Sequence, residues 1–320
     1  MAKGNADSIG VRAAQQKSRK IGGACRTVKC GMPLLFLVNL YAGIAIQERR
    51  LATAETAATT TSRTVKPADH PPLLAGDRGP IAVSRPGLHE TVLSILRPLP
   101  RGRMLDCPTG EGALAQDLIA EGFDVRCCDL YSELFRLDGV EIKRGDLAGT
   151  LPYASESFDY ITSLDGLEHI DSPPQAFREY RRLLKPGGHL IISVPNIMNI
   201  EERLKWLLFG YTSHFKPLSE QSKAKIHYDC AGMDEIVVHA NPIGYNEMRY
   251  YLEKNGFAIQ GVYRDRKKAN QWLYWPLVAF IRVLAKLTPK QRRADRWTDE
   301  LASDPVLLGG NTIIIHSILK

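Results

Sequence analysis

Short apolar runs alternate with stretches of helical periodicity from residue 88 to residue 318. Glycine, proline or acidic residues bound most of the apolar runs, which is typical of buried strands. The stretches between them repeat apolar residues three and four positions apart, as helices that pack on a sheet do. This alternation predicts an α/β fold with a parallel sheet covered on both faces. The predicted strands are 104–106, 125–128, 140–143, 158–163, 189–194, 257–263 and 312–318, and the predicted helices are 88–96, 113–121, 132–137, 173–184 and 244–255.

The stretch from Met104 to Tyr131 has the order strand, glycine loop, helix, strand. An acid stands at the tip of each strand, Asp106 at the first and Asp129 at the second. A parallel unit of this kind binds a nucleotide-like ligand at the carboxyl ends of its strands. The segment therefore predicts a cofactor site.

Two cofactors fit the glycine loop. Residues 110–115 match Gly-x-Gly-x-x-Ala, the dinucleotide motif, and Asp129 lies where an acid would bind a ribose, so an NAD-dependent dehydrogenase is one interpretation. However, Asp106 would place a carboxylate beside a pyrophosphate, and two anions repel each other. Asp146, after the third strand, is suited to accept a hydrogen bond from an adenine amine.

An ordered set of motifs resembles the class I S-adenosylmethionine-dependent methyltransferases. The resemblance runs from about Leu88 to Tyr263, with residues 312–318 as the seventh strand. It implies a Rossmann-like fold with a seven-stranded, mostly parallel sheet whose last strand is antiparallel, and S-adenosylmethionine as cofactor. The motifs are Asp106-x-x-x-Gly110-x-Gly112, Asp129, Asp146, Phe158-Asp159-Tyr160-Ile161, Leu167-Glu168-His169-Ile170 and Lys185-Pro186-Gly187-Gly188.

The resemblance also implies roles for individual residues. Gly110 and Gly112 would let the backbone approach the methionine part, Asp129 would bind the ribose, Asp146 the adenine edge, and Asp106 the amino group. The family commonly has Gly-Cys where this chain has Pro108-Thr109. The alternatives are purely structural roles: a tight turn for the glycines, a helix cap for Asp129 and a turn for Asp146. The full set of expected cofactor contacts is Asp106, Pro108, Gly110, Gly112, Asp129, Leu130, Asp146, Leu147 and Leu164.

Glu168 and His169 follow the fourth strand and are the candidate catalytic residues. Histidine suits proton abstraction near neutral pH, although both residues would equally serve to brace the next helix. Asp165-x-x-Glu168-His169 further resembles the Glu-x-x-Glu-His metal motif of ubiquinone O-methyltransferases and small-RNA 2′-O-methyltransferases, in which a later histidine corresponds to His239. Aspartate in place of the first glutamate shortens the reach. We therefore expect no metal and keep a divalent ion as the alternative.

The acceptor side resembles bacterial methyltransferases of the MetW-like group and those encoded with glycan genes. Its motifs are Val194-Pro195-Asn196, 203–209, Gly210-Tyr211, His214-Phe215 and 239–243. This resemblance implies O-methylation of a sugar, a glycolipid or another small hydroxylated acceptor. The alternatives are a non-catalytic S-adenosylmethionine-binding protein or a membrane-peripheral protein with the same fold.

Residues 272–287 predict a cationic amphipathic helix. Pro276 fits the first turn of this helix. Arg282 and Lys286 lie four residues apart and share one face of it. Aromatic residues at one end and basic runs on both sides fit peripheral contact with a membrane surface. A lid helix packed on the core is the alternative.

The net charge of +7 is concentrated at the start of the chain. Residues 1–66 carry eleven Lys/Arg and three Asp/Glu, or +8, which leaves −1 for the remainder. A near-neutral folded part argues against nucleic acid as a partner and leaves a small-molecule or lipid-linked acceptor. We predict a basic extension and linker over 1–85 and a methyltransferase domain over 86–320, with insertions at 197–243 and 264–310.

The six cysteines show no paired spacing, which predicts a reducing compartment with no disulfide framework and no zinc site. Residues 32–46 are apolar but, at about 22 Å as a helix, fall short of the ~30 Å hydrocarbon core. A signal-peptide core and a disordered extension are the two interpretations of this segment. We expect a cytoplasmic protein, with membrane association left open.

Overall fold

The structure is a computed structural model that describes residues 79–229, 238–268 and 271–320. Contacts divide the chain into two units, Met1–Asp69 and His70–Lys320, and the described residues all belong to the second. The predictions for the basic extension, for residues 32–46 and for most of the linker lie outside the described residues, as do Cys25, Cys30 and Cys230.

Seven strands form one sheet in the order β3-β2-β1-β4-β5-β7-β6. Strands β1 to β5 pair in parallel, and β7 runs antiparallel to both of its neighbours, β5 and β6. This confirms the predicted seven-stranded sheet with an antiparallel last strand. The strands are β1 Arg103–Asp106, β2 Asp124–Asp129, β3 Ile142–Arg144, β4 Phe158–Leu164, β5 Leu184–Pro195, β6 Phe257–Arg264 and β7 Thr312–Leu319.

Helices cover both faces of the sheet, because successive strand residues point to opposite faces. Met104 packs in one core with α1 and α2, whereas its neighbour Leu105 packs in the other with α3 and α6. Both cores are built from fully buried aliphatic and aromatic side chains. The helices are α1 Leu88–Leu96, α2 Ala113–Ala120, α3 Pro173–Leu183, α4 Ile200–Phe209, α5 Glu220–Asp229, α6 Tyr245–Lys254, α7 Trp275–Leu287, α8 Lys290–Asp295, α9 Thr298–Leu301 and α10 Asp304–Leu307.

Two predicted elements differ in the structure. The turn predicted at residues 185–188 lies inside β5: Phe158 pairs with Leu184 and Tyr160 with His189, so four residues of β5 loop out opposite one residue of β4. The helical piece predicted at 132–137 is a single 3₁₀ turn, Ser132–Leu134. Its length is limited because Phe135 and Leu137 leave the helical path to pack beside Gly112.

The segment between β6 and β7 folds into a 3₁₀ turn, Gln271–Tyr274, and helices α7 to α10. Pro276 lies in the first turn of α7, as predicted. No helix among the described residues is long and apolar enough to cross a membrane. Cys107, Cys127 and Cys128 are free and buried.

Candidate active site

The carboxyl ends of β1, β2, β3 and β4 meet at one edge of the sheet. The glycine loop follows β1 at this edge, and its two glycines have different constraints. Gly110 has a φ of +55°, and a Cβ there would point into open space. Gly112 has a φ of +96°, and a Cβ there would lie 2.7 Å from the ring of Phe135. Gly110 therefore leaves room beside the loop, whereas Gly112 allows close packing of the 3₁₀ turn after β2. We call the tips of β1, β2 and β3, with the loop, the cofactor edge.

Asp129, at the tip of β2, joins the two loops of the cofactor edge. Its Oδ2 accepts a hydrogen bond of 2.8 Å from the Gly110 backbone N–H, and its Oδ1 accepts one of 2.9 Å from the Tyr131 N–H. The side chain is nearly buried. Each carboxylate oxygen can accept a further hydrogen bond, so the carboxylate is fixed in place and still able to receive two hydroxyls.

Asp106, at the tip of β1, is buried between two hydroxyl groups. Its Oδ2 accepts from Thr109 and its Oδ1 from Thr162, both at 2.8 Å. Burial raises the pKa of this carboxyl to about 6, although the two threonine hydrogen bonds oppose that shift and the charge of Asp129 adds to it. The loss of hydration disfavours the ionised form, so a cationic neighbour would stabilise it.

Asp146 follows β3 and is exposed, and its Oδ1 accepts from the Ala148 N–H at 2.8 Å. This is the turn geometry that the sequence analysis gave as the alternative role of Asp146. The predicted role at the adenine edge stays a prediction. The structure places Asp146 on the same edge of the sheet as Asp129, since β3 pairs with β2 in parallel.

The remaining predicted cofactor contacts lie around the tip of β4. A Cβ at Gly166 would lie 2.7 Å from Pro108 and 3.4 Å from Leu147, so the β1 loop and the segment after β3 both pack against this glycine. Leu164 is buried at the end of β4, and Leu130 is half-buried behind Asp129. The glycine at 166, which the sequence analysis did not single out, allows the close approach.

Asp165 turns away from the predicted catalytic pair. Its Oδ1 accepts from the Ser193 hydroxyl at 2.7 Å, while its backbone N–H donates to the same hydroxyl oxygen at 3.0 Å. Burial raises the pKa of Asp165 to about 6, with the Ser193 hydrogen bond opposing and the charge of Asp265 adding to the shift. Ser193 on the adjacent strand β5 therefore takes up the carboxylate that the sequence suggested as a metal ligand.

Glu168, His169 and His239 form a compact group beside the tip of β4. One ligand atom from each lies within 4.8 Å of those of the other two. The rings of His169 and His239 meet edge to face, with centroids 4.7 Å apart. Glu168 is buried, and burial, followed by the charge of Asp165, raises its pKa well above the usual range. The structure thus brings together both predicted catalytic residues and the predicted later histidine.

Residues 238–241 are held against the 3₁₀ turn Leu167–His169 by backbone hydrogen bonds. The Glu168 carbonyl accepts from the N–H groups of Ala240, at 2.8 Å, and Asn241, at 2.9 Å. His169 Nδ1 lies 3.1 Å from the Val238 carbonyl oxygen. Since a carbonyl only accepts, Nδ1 carries the proton and Nε2 keeps its lone pair. The ring nitrogen that carries the lone pair in this tautomer is therefore Nε2.

His214 and Phe215, which belong to the acceptor-side resemblance in the sequence, lie beside His239 in the structure. The His214 ring stacks on His239 at 5.7 Å, and the Phe215 ring lies 5.5 Å from it. Burial lowers the pKa of His214 and of His239 to about 4, so both are neutral near pH 7. We call residues 167–169, 210–215 and 238–243 the acceptor side. The contacts of His239 with His214 and Phe215, which lie 25 and 24 positions earlier, left no local signal in the sequence.

A comparison with known protein families indicates the role of this fold. Residues 105–192, from β1 to β5, match the family described as Methyltransferase domain. This match supports a class I methyltransferase domain over the segment, with S-adenosylmethionine as its cofactor. The segment contains the glycine loop, the strand-tip acids, Glu168 and His169. The nicotinamide alternative receives no support from this match.

Curated relatives agree with the family over part of their length. The chain is 27% identical to a ubiquinone biosynthesis O-methyltransferase of Psychrobacter cryohalolentis over 48% of this chain and 67% of that protein. It is 29% identical to the ubiquinone/menaquinone biosynthesis C-methyltransferase UbiE of Geotalea daltonii over 36% and 52%. The chain thus spans about half to two thirds of the length of these relatives.

Solved structures resemble this chain at lower sequence identity. A methyltransferase of Thermotoga maritima, described as a possible histamine N-methyltransferase, is 19% identical, covers 72% of this chain and 87% of its own, and has a TM-score of 0.44. The narrower resemblance to MetW-like enzymes stays a prediction.

Proposed function

We propose that this protein transfers a methyl group from S-adenosylmethionine to a hydroxyl oxygen of a small or lipid-linked acceptor. The observation that carries the proposal is the group of Glu168, His169 and His239 at the tip of β4, adjacent to the cofactor edge. Methyl transfer to oxygen is an in-line displacement that benefits from removal of the hydroxyl proton. The imidazoles of His169 and His239 supply nitrogens able to receive it, and the buried Glu168 lies beside them.

The cofactor edge would orient the donor. The fixed carboxylate of Asp129 receives the ribose hydroxyls, and the open space at Gly110 admits the methionine part. Asp106 lies at the tip of the next strand, where its ionised form would pair with the cationic amino group, directly or through water. Because S-adenosylmethionine brings its own activated methyl group, the protein mainly has to position the acceptor and exclude water.

His169 is the proposed general base. The Val238 carbonyl fixes the proton on Nδ1 and so places the lone pair on Nε2. Because Nδ1 already carries the proton, the His169 ring needs no change of tautomer before it accepts a proton. His169 becomes positively charged when it accepts the proton. Its neighbour His239 is neutral and so adds no second positive charge to the acceptor side.

The same three side chains fit a divalent cation. Glu168 Oε2 and His239 Nδ1 are buried and have no hydrogen-bond partner within the described ranges, which is costly unless something binds them. One carboxylate and two imidazoles suit several divalent ions. When bound by Glu168, His169 and His239, such an ion would lower the pKa of an acceptor hydroxyl. Metal analysis of the purified protein, with activity assayed in chelator, decides between the two proposals; full activity without metal favours the base alone.

The acceptor class rests on the relatives and on the site. Both curated relatives are named for quinone biosynthesis, one as an O-methyltransferase and the other as a C-methyltransferase. The first of them favours a ring hydroxyl as the acceptor. The sugar or glycolipid expected from the sequence is a hydroxylated acceptor of the same reaction type. Aromatic neighbours at His214 and Phe215 offer stacking for a planar ring, and this favours a phenolic acceptor over a sugar.

The test is turnover of S-adenosylmethionine to S-adenosylhomocysteine by the full chain. The acceptors would be a catechol, a monosaccharide and a bacterial lipid extract, each with a boiled-enzyme control. We expect product with at least one hydroxylated acceptor and loss of product in His169→Gln. Tight cofactor binding without turnover on any acceptor would instead make the protein a non-catalytic S-adenosylmethionine binder.

A further inference from the structure

Large apolar side chains are exposed on two segments outside the active site. On the last turn of α4, Leu207 is 77% exposed, and its neighbour Trp206 is more than half exposed. Between β6 and α8, Trp272 is 68% exposed and Leu287 is 74% exposed, with Trp275 and Phe280 also exposed. Single exposed apolar residues are ordinary, whereas groups of them mark binding surfaces. We call the exposed side chains of 206–209 and 272–287 the apolar surface.

Helix α7 has two apolar faces. One face packs inward through Val278 and Ala285, which are buried. The other exposes Phe280, Leu284 and Leu287, whose spacing of four and three residues places them in one stripe. Packing on the domain therefore accounts for only one of the two faces, and the lid interpretation leaves the exposed stripe unexplained.

Both segments are attached to the same stretch of chain. On α4, Arg203 Nη2 donates to the Leu301 carbonyl at 2.9 Å, and on α7, Arg282 Nε donates to the Ala302 carbonyl at 3.2 Å. A buried ion pair of 2.7 Å between Lys268 and Glu201 adds a second tie to α4. These contacts fix α4 and α7 to adjacent residues, Leu301 at the end of α9 and Ala302 directly after it, so the apolar surface is held by the fold.

Positive charge borders the apolar surface. Residues 264–296 contain ten Lys/Arg and two Asp/Glu, a net charge of +8. Acidic side chains pair with Lys268, Arg282 and Arg293. Six other cations are exposed and have no ion pair in the part of the chain that the structure describes: Arg266, Lys267, Lys286, Lys290, Arg292 and Arg296.

The chemistry of this border identifies the partner. Lysine is depleted in protein–protein interfaces, whereas exposed tryptophan and leucine beside Lys and Arg are typical of helices at anionic membrane surfaces. We propose that the apolar surface docks on a lipid bilayer that carries anionic headgroups, with α7 lying in the plane of the interface. At ~20 Å, a helix of this length is too short to span the ~30 Å core, so the contact is peripheral.

The docked surface and the active site share helix α4. At its start, Glu202 accepts from the Ser213 N–H at 2.6 Å and from the Ser213 hydroxyl at 2.8 Å. The next residue, His214, stacks on His239. The helix thus runs from the acceptor side to the exposed Trp206. If the proposed O-methylation holds, on which this last step rests, the acceptor is an amphiphile that presents its hydroxyl from the bilayer.

Flotation of the full chain with extruded vesicles tests the docking. Vesicles of phosphatidylcholine with and without phosphatidylglycerol would be compared for the wild type and for the double variant Leu207→Asp/Leu287→Asp. Residues 32–46 are present in both proteins, so only the difference between them counts. Ile119→Asp, at an exposed leucine-sized residue of α2, is the matched control.

We expect the wild type to float with anionic vesicles and the double variant to bind at least about tenfold more weakly, because two apolar side chains no longer enter the interface. The control should bind like the wild type. Lys286→Glu/Lys290→Glu should weaken binding by about fivefold for each charge removed, and added salt should act in the same direction.

Three results would overturn the docking: equal flotation of wild type and Leu207→Asp/Leu287→Asp, equal binding to neutral and anionic vesicles, or self-association that the double variant abolishes without any lipid binding. A soluble acceptor separates this proposal from the proposed function. The double variant should methylate it at the wild-type rate and lose rate only on an acceptor carried in vesicles. Absence of turnover by both proteins, with lipid binding intact, would reject the O-methylation and leave the docking standing.

Discussion

The cofactor edge and the acceptor side lie at one edge of the same sheet, but they are held in place by different means. The cofactor edge is fixed mostly by local contacts, since Asp129 binds backbone groups of the loops beside it and Thr109 lies three residues from Asp106. Its one distant side-chain partner described above is Thr162 of β4, which donates to Asp106. The acceptor side is fixed by distant contacts, such as His169 with Val238, 69 residues away. The first region is a compact unit of consecutive chain, and the second is an assembly of three separate segments.

This difference teaches where specificity can change. A unit that holds itself together serves any acceptor, because its contacts do not involve the acceptor side. An assembly of separate segments can exchange one segment and keep the others. Substitutions in the two regions should therefore separate cofactor binding from turnover.

The largest expected effect is on turnover. His169→Gln should lower kcat by about 100-fold or more, because the proposed general base is lost, and should leave the affinity for S-adenosylmethionine unchanged. Steady-state rates together with calorimetric cofactor binding measure the two quantities. A parallel loss of both would show that the two regions are not separate.

The second effect is on cofactor affinity. Asp129→Ala should weaken S-adenosylmethionine binding by at least about 1.5 kcal/mol, roughly tenfold, because the ribose loses a buried charged acceptor. Asp129→Asn keeps one side-chain oxygen for the Gly110 N–H and is the control for loop disorder. Unchanged affinity in both variants would show that the ribose lies elsewhere.

The two loop glycines sharpen the comparison within the cofactor edge. Gly112→Ala should destabilise the fold by about 1–3 kcal/mol from its positive φ, with a further cost for displacing the Phe135 ring. Gly110→Ala should cost only about 1 kcal/mol, since its Cβ meets open space, yet it should weaken cofactor binding. Urea unfolding and calorimetry test the pair; equal stability losses would contradict the packing described for Gly112.

The smallest effect is on pH dependence. The pKa of Asp106 is raised to about 6, so the carboxyl is ionised above that pH and neutral below it. Affinity for the cationic amino group should therefore fall several-fold as the pH drops from 7 to 5. Asp106→Asn should bind more weakly at pH 7 and lack this dependence. A steep pH dependence that persists in Asp106→Asn would assign the titration to another group.

The cofactor edge was predictable from sequence because its contacts are local. Asp106, Gly110, Gly112 and Asp129 lie within one stretch, and the apolar runs before the two acids identify the strands. The sheet and its antiparallel last strand followed from the family resemblance and are confirmed by the strand pairing. The glycine loop and the two strand-tip acids depend on short-range order, which a single sequence records directly.

The acceptor side was not predictable to the same extent, and α4 shows why. This helix buries Glu201, Glu202 and Lys205 and exposes Trp206 and Leu207, which inverts the usual amphipathic pattern. The buried charges are satisfied by distant partners, Lys268 and Ser213. Hydrophobic periodicity therefore indicated only a turn or two. The same applies to Asp165, whose partner Ser193 is set by the register of β4 and β5.

The position of β7 has a consequence for how the chain reaches this state. β7 lies between β5 and β6, and β6 has β7 as its only strand neighbour within the described sheet. During synthesis, β6 and the free edge of β5 therefore wait unpaired while residues 265–311 are added. Exposed strand edges template aggregation. The helices between β6 and β7 consequently set a delay during which the nascent domain depends on protection of these two edges, and shortening that segment should raise the yield of folded protein.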